Sequence, residues 1–195
     1  MIAREAIVGV VLAGGASRRM GGAPKALIEF EGTTLLDRAV GKLRPQVGSL
    51  IANANDDFGG IDVPTVADAF TDRRGPLAGI LAGMEWARAY EPAATHVASV
   101  AVDTPFFPSD LVARLASGET GIAMARTGRH WQPTFGLWPI SLCDELRTFL
   151  TADGSRKVLV FAEPRGLRGV EFDERDFENV NTPGDLAALH GRIEA

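Results

Sequence analysis

Ile7 to Ala13 reads I-V-G-V-V-L-A, and Gly14 to Gly22 continues it as G-G-A-S-R-R-M-G-G. The first stretch is a continuous apolar run rich in β-branched side chains, the pattern of a strand buried on both faces. Strands of that kind belong to parallel sheets. Working outward, Leu27 to Phe30 is a short apolar piece that turns at Glu31-Gly32, and Thr33 is placed to cap a helix running to Leu43, with Leu36, Val40 and Leu43 on one face. Strands are expected over Ser49 to Asn53 and Val63 to Ala67. Gly75-Pro76 opens a helix to about Tyr90, because proline suits the first helical position. His96 to Val102 is a further strand that stops at Asp103-Thr104-Pro105, and Ser109 is placed to cap a short helix to Ala116. Strands over Gly121 to Arg126, Gln132 to Trp138 and Leu167 to Phe172 follow, with helices at Ser141 to Leu150, Ser155 to Glu163 and from Pro183. Alternating strands and helices predict an α/β fold of three layers, α-β-α, with a Rossmann-like, mostly parallel sheet. No repeat or linker divides the chain, so residues 1–195 are read as one domain.

In open sheets of this class ligands bind outside the carboxyl ends of the strands. Gly14 to Gly22, Asn53, Asp68 and Asp103 each follow an expected strand and should meet along one rim. Composition narrows the ligand. The net charge of -5 disfavours nucleic acid, whose binding draws on clustered Lys and Arg. Between Ala6 and Ile28, however, there is no acidic residue, while Arg18, Arg19 and Lys25 all fall there. A local basic, glycine-rich segment in an acidic chain suggests a small anionic ligand. Cys143 is the one cysteine, so no disulfide forms within the chain, and no apolar run reaches the ~18 residues of a membrane span. The N-terminus shows no signal-peptide pattern, and a cytoplasmic protein is expected.

The loop carries the chemistry. Its glycines let backbone N–H groups approach phosphate oxygens, and its cations supply charge. It lacks both the G-x-G-x-x-G spacing of the dinucleotide fingerprint and the Gly-Lys-Ser/Thr of a Walker A loop. A solvated turn with incidental arginines is the bland alternative, disfavoured by placement after a buried strand.

The pattern L-A-G-G-A-S-R-R-M-G-G-A-P-K from Leu12 to Lys25 resembles the signature of nucleotidyltransferases that activate a phosphorylated acceptor with a nucleoside triphosphate. Further segments are N-A-N at Asn53 to Asn55, Asp68 to Gly79 ending in G-P-L-A-G, V-D-T-P at Val102 to Pro105, Q-P-T at Gln132 to Thr134, and N-V-N-T-P at Asn179 to Pro183. Together, in this order, they resemble the molybdenum cofactor guanylyltransferase (MobA) family. The resemblance implies a nucleotide-diphospho-sugar transferase type of fold. It also implies transfer of GMP from GTP to the terminal phosphate of molybdopterin with Mg2+, releasing pyrophosphate, and contact with other molybdenum cofactor biosynthesis proteins.

Carried onto this chain, the resemblance assigns Leu12, Ala13, Gly14 and Gly15 to main-chain contacts with the nucleoside, and Asn53 and Asp68 to the nucleotide side. Arg19 and Lys25 neutralise the triphosphate, Asp103 binds the metal, and Gly75, Arg156, Lys157, Asn179 and Asn181 form the molybdopterin side. The phosphate acceptor has a second pKa of ~6, so it is already nucleophilic near neutrality and needs no general base. His96, His130 and His190 are scattered accordingly. Other readings stay open at this point. Asp103-Thr104-Pro105 also fits a simple turn, and Asp72 competes with Asp68. Asn179 and Asn181 also fit a turn into the last helix with Thr182 as cap, and Arg156 and Lys157 a solvated helix face. Trp131, Trp138, Met20 and Cys143 read as packing residues. Gln132 stands where the resemblance leads one to expect histidine, which leaves an imidazole role there without support. Alternative functions are a cytidylyltransferase for the same pterin or another nucleotidyltransferase, a non-catalytic nucleotide-binding module, and, more distantly, a Rossmann oxidoreductase.

Overall fold

A computed structural model describes residues 2–14, 24–56, 58, 61–70, 72, 74–118, 121–180 and 185. Gly15, Arg19, Asn181 and all but Asp185 of the helix expected from Pro183 therefore lie outside the described residues.

Strand β1 (Ile7–Leu12) is buried at all six positions. It lies parallel between β4 (Ser49–Asn53) and β6 (His96–Ala101). Because side chains alternate along a strand, Ile7, Val11 and the following Ala13 enter one core and Val8, Val10 and Leu12 the other. Helices α1 (Leu35–Leu43) and α3 (Leu111–Leu115) cover the first face. Helices α2 (Pro76–Tyr90), α4 (Cys143–Thr151) and α5 (Val158–Ala162) cover the second. This is the expected three-layer arrangement.

The seven-stranded sheet has the order β5-β4-β1-β6-β8-β7-β9, where β5 is Thr65–Val66, β7 Ala123–Thr127, β8 His130–Pro139 and β9 Arg168–Glu171. It is mixed: β8 runs antiparallel to both β6 and β7. Its N-terminal end therefore lies along the same rim as the C-terminal end of β6. The β7–β8 ladder also slips between Met124/Gly136 and Arg126/Trp131, so the Gln132-Pro133-Thr134 segment bulges out of register.

Several boundaries differ from the sequence reading. The cap of α1 is Thr34, whose hydroxyl accepts from the Asp37 amide at 3.0 Å, because Thr33 pairs with Phe30 in a small hairpin of β2 (Glu29–Phe30) and β3 (Thr33–Thr34). The turn of that hairpin has positive φ at Glu31 (52°) and Gly32 (72°), the left-handed pair a two-residue hairpin loop requires. Asp110, not Ser109, precedes α3. Helix α5 begins at Val158, after Lys157, whose backbone is extended. No helix among the described residues is long and apolar enough to cross a membrane.

His96 marks the start of β6 and is 5% exposed. Its Nδ1 lies 2.8 Å from the Thr95 hydroxyl, and its Nε2 is buried without a hydrogen-bond partner. Burial lowers its pKa from the ordinary 6.5, so the folded protein holds it neutral. The unfolded chain then binds the extra proton first as pH falls, and stability present above pH 6.5 declines below it. Thermal melts at pH 7.5 and 5.5 should show a smaller acid-induced drop in His96→Gln than in the parent; an equal drop would exclude His96 as its source.

Candidate active site

The ladder register aligns three strand ends. Leu12 stands opposite Asn53 on β4 and opposite Ala101 on β6. The residues that leave these strands, Gly14, Ala54 and Asp103, therefore emerge at one edge. Backbone bonds tie them together: the Ala13 amide donates to the Asn53 carbonyl at 2.9 Å and the Val102 amide to the Leu12 carbonyl at 3.2 Å. The Leu12 carbonyl and the Ala13 amide are thus engaged within the protein, and the chain first leaves the ladder, exposed, at Gly14.

Lys25 and Asp103, 78 positions apart, meet at this edge. Lys25 Nζ donates to Asp103 Oδ2 at 3.0 Å, with side-chain exposures of 19% and 30%. Lys25 is delivered by a 3-10 turn, Lys25–Leu27, anchored by the fully buried Ala26. Asp103 is delivered by the end of β6 and fixed on its far side by residues 179 and 180. The Val180 amide donates to the Asp103 carbonyl at 2.7 Å, and the Thr104 hydroxyl donates to Asn179 Oδ1 at 2.6 Å. Asn179 thus joins the Asp103 segment directly.

Asn53 is 4% exposed. Its amide donates to the Val66 carbonyl at 3.1 Å and to Asp68 Oδ1 at 3.0 Å, so both hydrogens are engaged within the protein. Asp68 Oδ2 accepts from the Asn55 amide at 3.2 Å, and its own N–H donates back to Asn55 Oδ1 at 2.9 Å. The first turns of α2 close over this group at Gly79, where a Cβ would fall on Leu12 Cδ2 at 2.6 Å and on Asn53.

Asp72 belongs to a separate group. Its carboxylate accepts from Arg74 Nε at 2.7 Å and from Arg156 Nη2 at 3.3 Å, and the Arg74 bond holds its pKa below the ordinary carboxylate value. Gly75, with φ 73°, leads from there into α2. Arg156 thus meets Asp72, three positions before Gly75 in the chain, with the exposed Lys157 next to it in sequence, whereas Asn179 sits with Asp103. The five residues assigned to a molybdopterin side are described at four positions, which fall into these two groups.

The remaining residues behave as packing groups. Trp138 is fully buried, with Nε1 donating to the Ser99 hydroxyl at 2.9 Å. Cys143 is buried at the start of α4, where burial pushes its thiol pKa up. Gln132 Nε2 donates to the Thr127 hydroxyl at 3.2 Å within the bulge. Asn55, Thr104 and Gly79 carry no chemical signal in the sequence beyond their motifs, and their places here come from the bonds of Asn55 and Thr104 and the close packing at Gly79.

Chemically, among the described residues the edge offers the Lys25 ammonium beside the Asp103 carboxylate, flanked by Gly14 and by the hydrogen-bonded Asp68 carboxylate. Among the described residues no three His, Cys, Asp or Glu side chains converge as a metal cage. A single carboxylate suits a magnesium ion, which keeps its waters and takes phosphate oxygens from a nucleotide.

Comparison with known proteins identifies the family. Residues 9–166 match the family described as MobA-like NTP transferase domain. A molybdenum cofactor guanylyltransferase of Bradyrhizobium sp. (strain ORS 278) is 42% identical over 192 residues, covering 93% of this chain and 91% of the relative. The protein of the same name from Acidiphilium cryptum (strain JF-5) is 43% identical over 189 residues, covering 94% of each. In fold, the chain is similar to the crystal structure of molybdopterin-guanine dinucleotide biosynthesis protein A from Archaeoglobus fulgidus, with a TM-score of 0.75 and 22% identity over 96% of this chain and 98% of that one. The family match over residues 9–166 and similarity to these relatives along nearly the whole length establish that this chain belongs to the MobA-like NTP transferase family of nucleotidyltransferases.

Proposed function

We propose that the protein transfers GMP from GTP to the terminal phosphate of molybdopterin, forming the guanine dinucleotide form of the cofactor and pyrophosphate. The observation that carries this reading is the Lys25–Asp103 pair at the aligned ends of β1 and β6. Such a pair answers the main difficulty of the reaction, the approach of two polyanions. The acceptor phosphate, with a second pKa of ~6, attacks the α-phosphate without a base, so no histidine is needed at the site. Asp103 would hold Mg2+, which would supply neutralisation of phosphate charge. Lys25 places its ammonium on the triphosphate and stabilises charge developing on the leaving pyrophosphate, and Arg19 adds to that charge. Gly14 and Gly15 let the backbone approach the nucleoside closely. Asp68, held by Asn53 and Asn55, supplies an oriented acceptor for base or ribose donors. The acceptor side comprises Gly75, Arg156, Lys157, Asn179 and Asn181. The reaction belongs in the cytoplasm, a reducing setting that suits the single, buried Cys143.

The test is incubation with Mg2+, molybdopterin and GTP or CTP labelled at the α-phosphate. GMP incorporation with release of unlabelled pyrophosphate is expected, at a rate exceeding CMP incorporation by at least tenfold, about 1.4 kcal/mol of transition-state preference. Preferential CMP incorporation would replace the guanylyl reading by a cytidylyl one. GTP binding without pyrophosphate release in the presence of acceptor would make the chain a nucleotide-binding module.

A further inference from the structure

Helix α1 carries a polar row, Arg38 and Lys42, that continues into the following 3-10 turn at Gln46. The spacing of four places these residues along one side. Each holds a backbone carbonyl in a segment next to the site. Arg38 Nη2 donates to the Phe30 carbonyl at 2.8 Å, and its guanidinium carbon lies 4.9 Å from the Phe30 ring centre. Lys42 Nζ donates to the Phe106 carbonyl at 3.0 Å and lies 5.8 Å from the Phe107 ring centre. Gln46 Nε2 donates to the Pro108 carbonyl at 3.2 Å, while its Oε1 accepts from the Val112 amide at 2.9 Å. Phe30 and Phe106 themselves meet edge to face, with ring centres 5.8 Å apart at 87°. Phe30 ends the arm that begins with Lys25, and Phe106 follows Asp103 in the same loop. One helix therefore grips both segments that bear the ion pair.

A lysine at this place needs an explanation beyond packing. Burial lowers the Lys42 pKa, a cost only partly offset by the charge of Asp176, and an apolar side chain of the same length would fill the space without that cost. What such a side chain lacks is a donor for the Phe106 carbonyl, which lies past the end of the β6 ladder. We infer that Lys42 is a positioning residue for nucleotidyl transfer, fixing the 103–108 loop against the Lys25 arm and so setting where the Asp103 carboxylate stands relative to Lys25. The inference rests on the roles proposed for Lys25 and Asp103.

The experiment compares full-length wild type with Lys42→Met, Lys42→Arg and Gln46→Leu. In Lys42→Met, kcat for GMP transfer should fall roughly tenfold while KM for GTP stays within about twofold, because orientation rather than nucleotide binding is lost. Mn2+ affinity, read by electron paramagnetic resonance in the presence of a GTP analogue with a methylene bridge between the α- and β-phosphates, should weaken about fivefold as the carboxylate loses its fixed place. Lys42→Arg, which keeps a charged donor, should recover most of both losses. Gln46→Leu should show the same pattern more weakly, and supplies the test should Lys42→Met fail to fold. A melting temperature lowered by roughly 2 to 4 °C with unchanged kcat and Mn2+ affinity would make Lys42 merely structural and overturn the inference. Loss of both in Lys42→Arg to the same extent as in Lys42→Met would also overturn it. Absence of GMP transfer by the wild type would instead overturn the proposed reaction, while the Mn2+ comparison would still decide the role of Lys42.

Discussion

Lys25→Met and Asp103→Asn are each expected to lower turnover by roughly 10²- to 10³-fold, the loss typical of removing one preorganised electrostatic group from a reacting centre. The two side chains are 3.0 Å apart and act on the same triphosphate, so their effects should not add. The double variant should fall close to the weaker single one. Folding should survive. Both side chains are partly open to solvent, and an ion pair in that setting contributes on the order of 1 kcal/mol. Steady-state rates of labelled GMP transfer, taken with melting curves of each variant, check this. A single variant that turns over like the parent would remove that residue from the site. Additive losses would mean that Lys25 and Asp103 serve different steps.

The second large effect is expected at Gly79. In an open helix, Gly→Ala stabilises by ~1 kcal/mol, and Gly41 in α1, with nothing within 4 Å of an added Cβ, should behave that way. At Gly79 the added methyl meets Asn53 and, at 2.6 Å, Leu12 Cδ2. Overpacking of this kind costs about 1 to 3 kcal/mol and outweighs the helix gain. Relief requires the Asn53 amide to move, which breaks its bonds to Val66 and Asp68 and frees the Asp68 carboxylate. Gly79→Ala should therefore melt below the parent and raise KM for GTP about tenfold or more, a ground-state effect distinct from that of Lys25. Gly41→Ala should melt above the parent with unchanged KM. Equal behaviour of the two glycine variants would falsify the role given to the α2–Asn53 contact.

Much of this architecture is local and therefore readable in one dimension. The buried run of β1, the glycines after it, Pro76 at the head of α2 and the halt of β6 before Asp103 all follow from apolar periodicity and turn chemistry. Lys25 and Asp103 stood out for the same reason: one closes an acid-free basic segment, the other ends a strand. Where local signals tie, the folded chain decides the boundary. Thr33 and Thr34 are equivalent as caps until Thr33 pairs with Phe30, and Ser109 and Asp110 until the chain turns.

What the linear chain determined by itself is the order of elements and the chemical character of each loop, since both depend on neighbours within a few residues. The folded molecule alone decided which loops touch. It joined Lys25 to Asp103, tied Asp68 rather than Asp72 to Asn53, set Asn179 beside Thr104, reversed β8, and drew Lys42 beneath the Phe106 carbonyl. These pairings are settled by which distant surfaces bury together and which carbonyls remain without a ladder partner, quantities that no local period encodes.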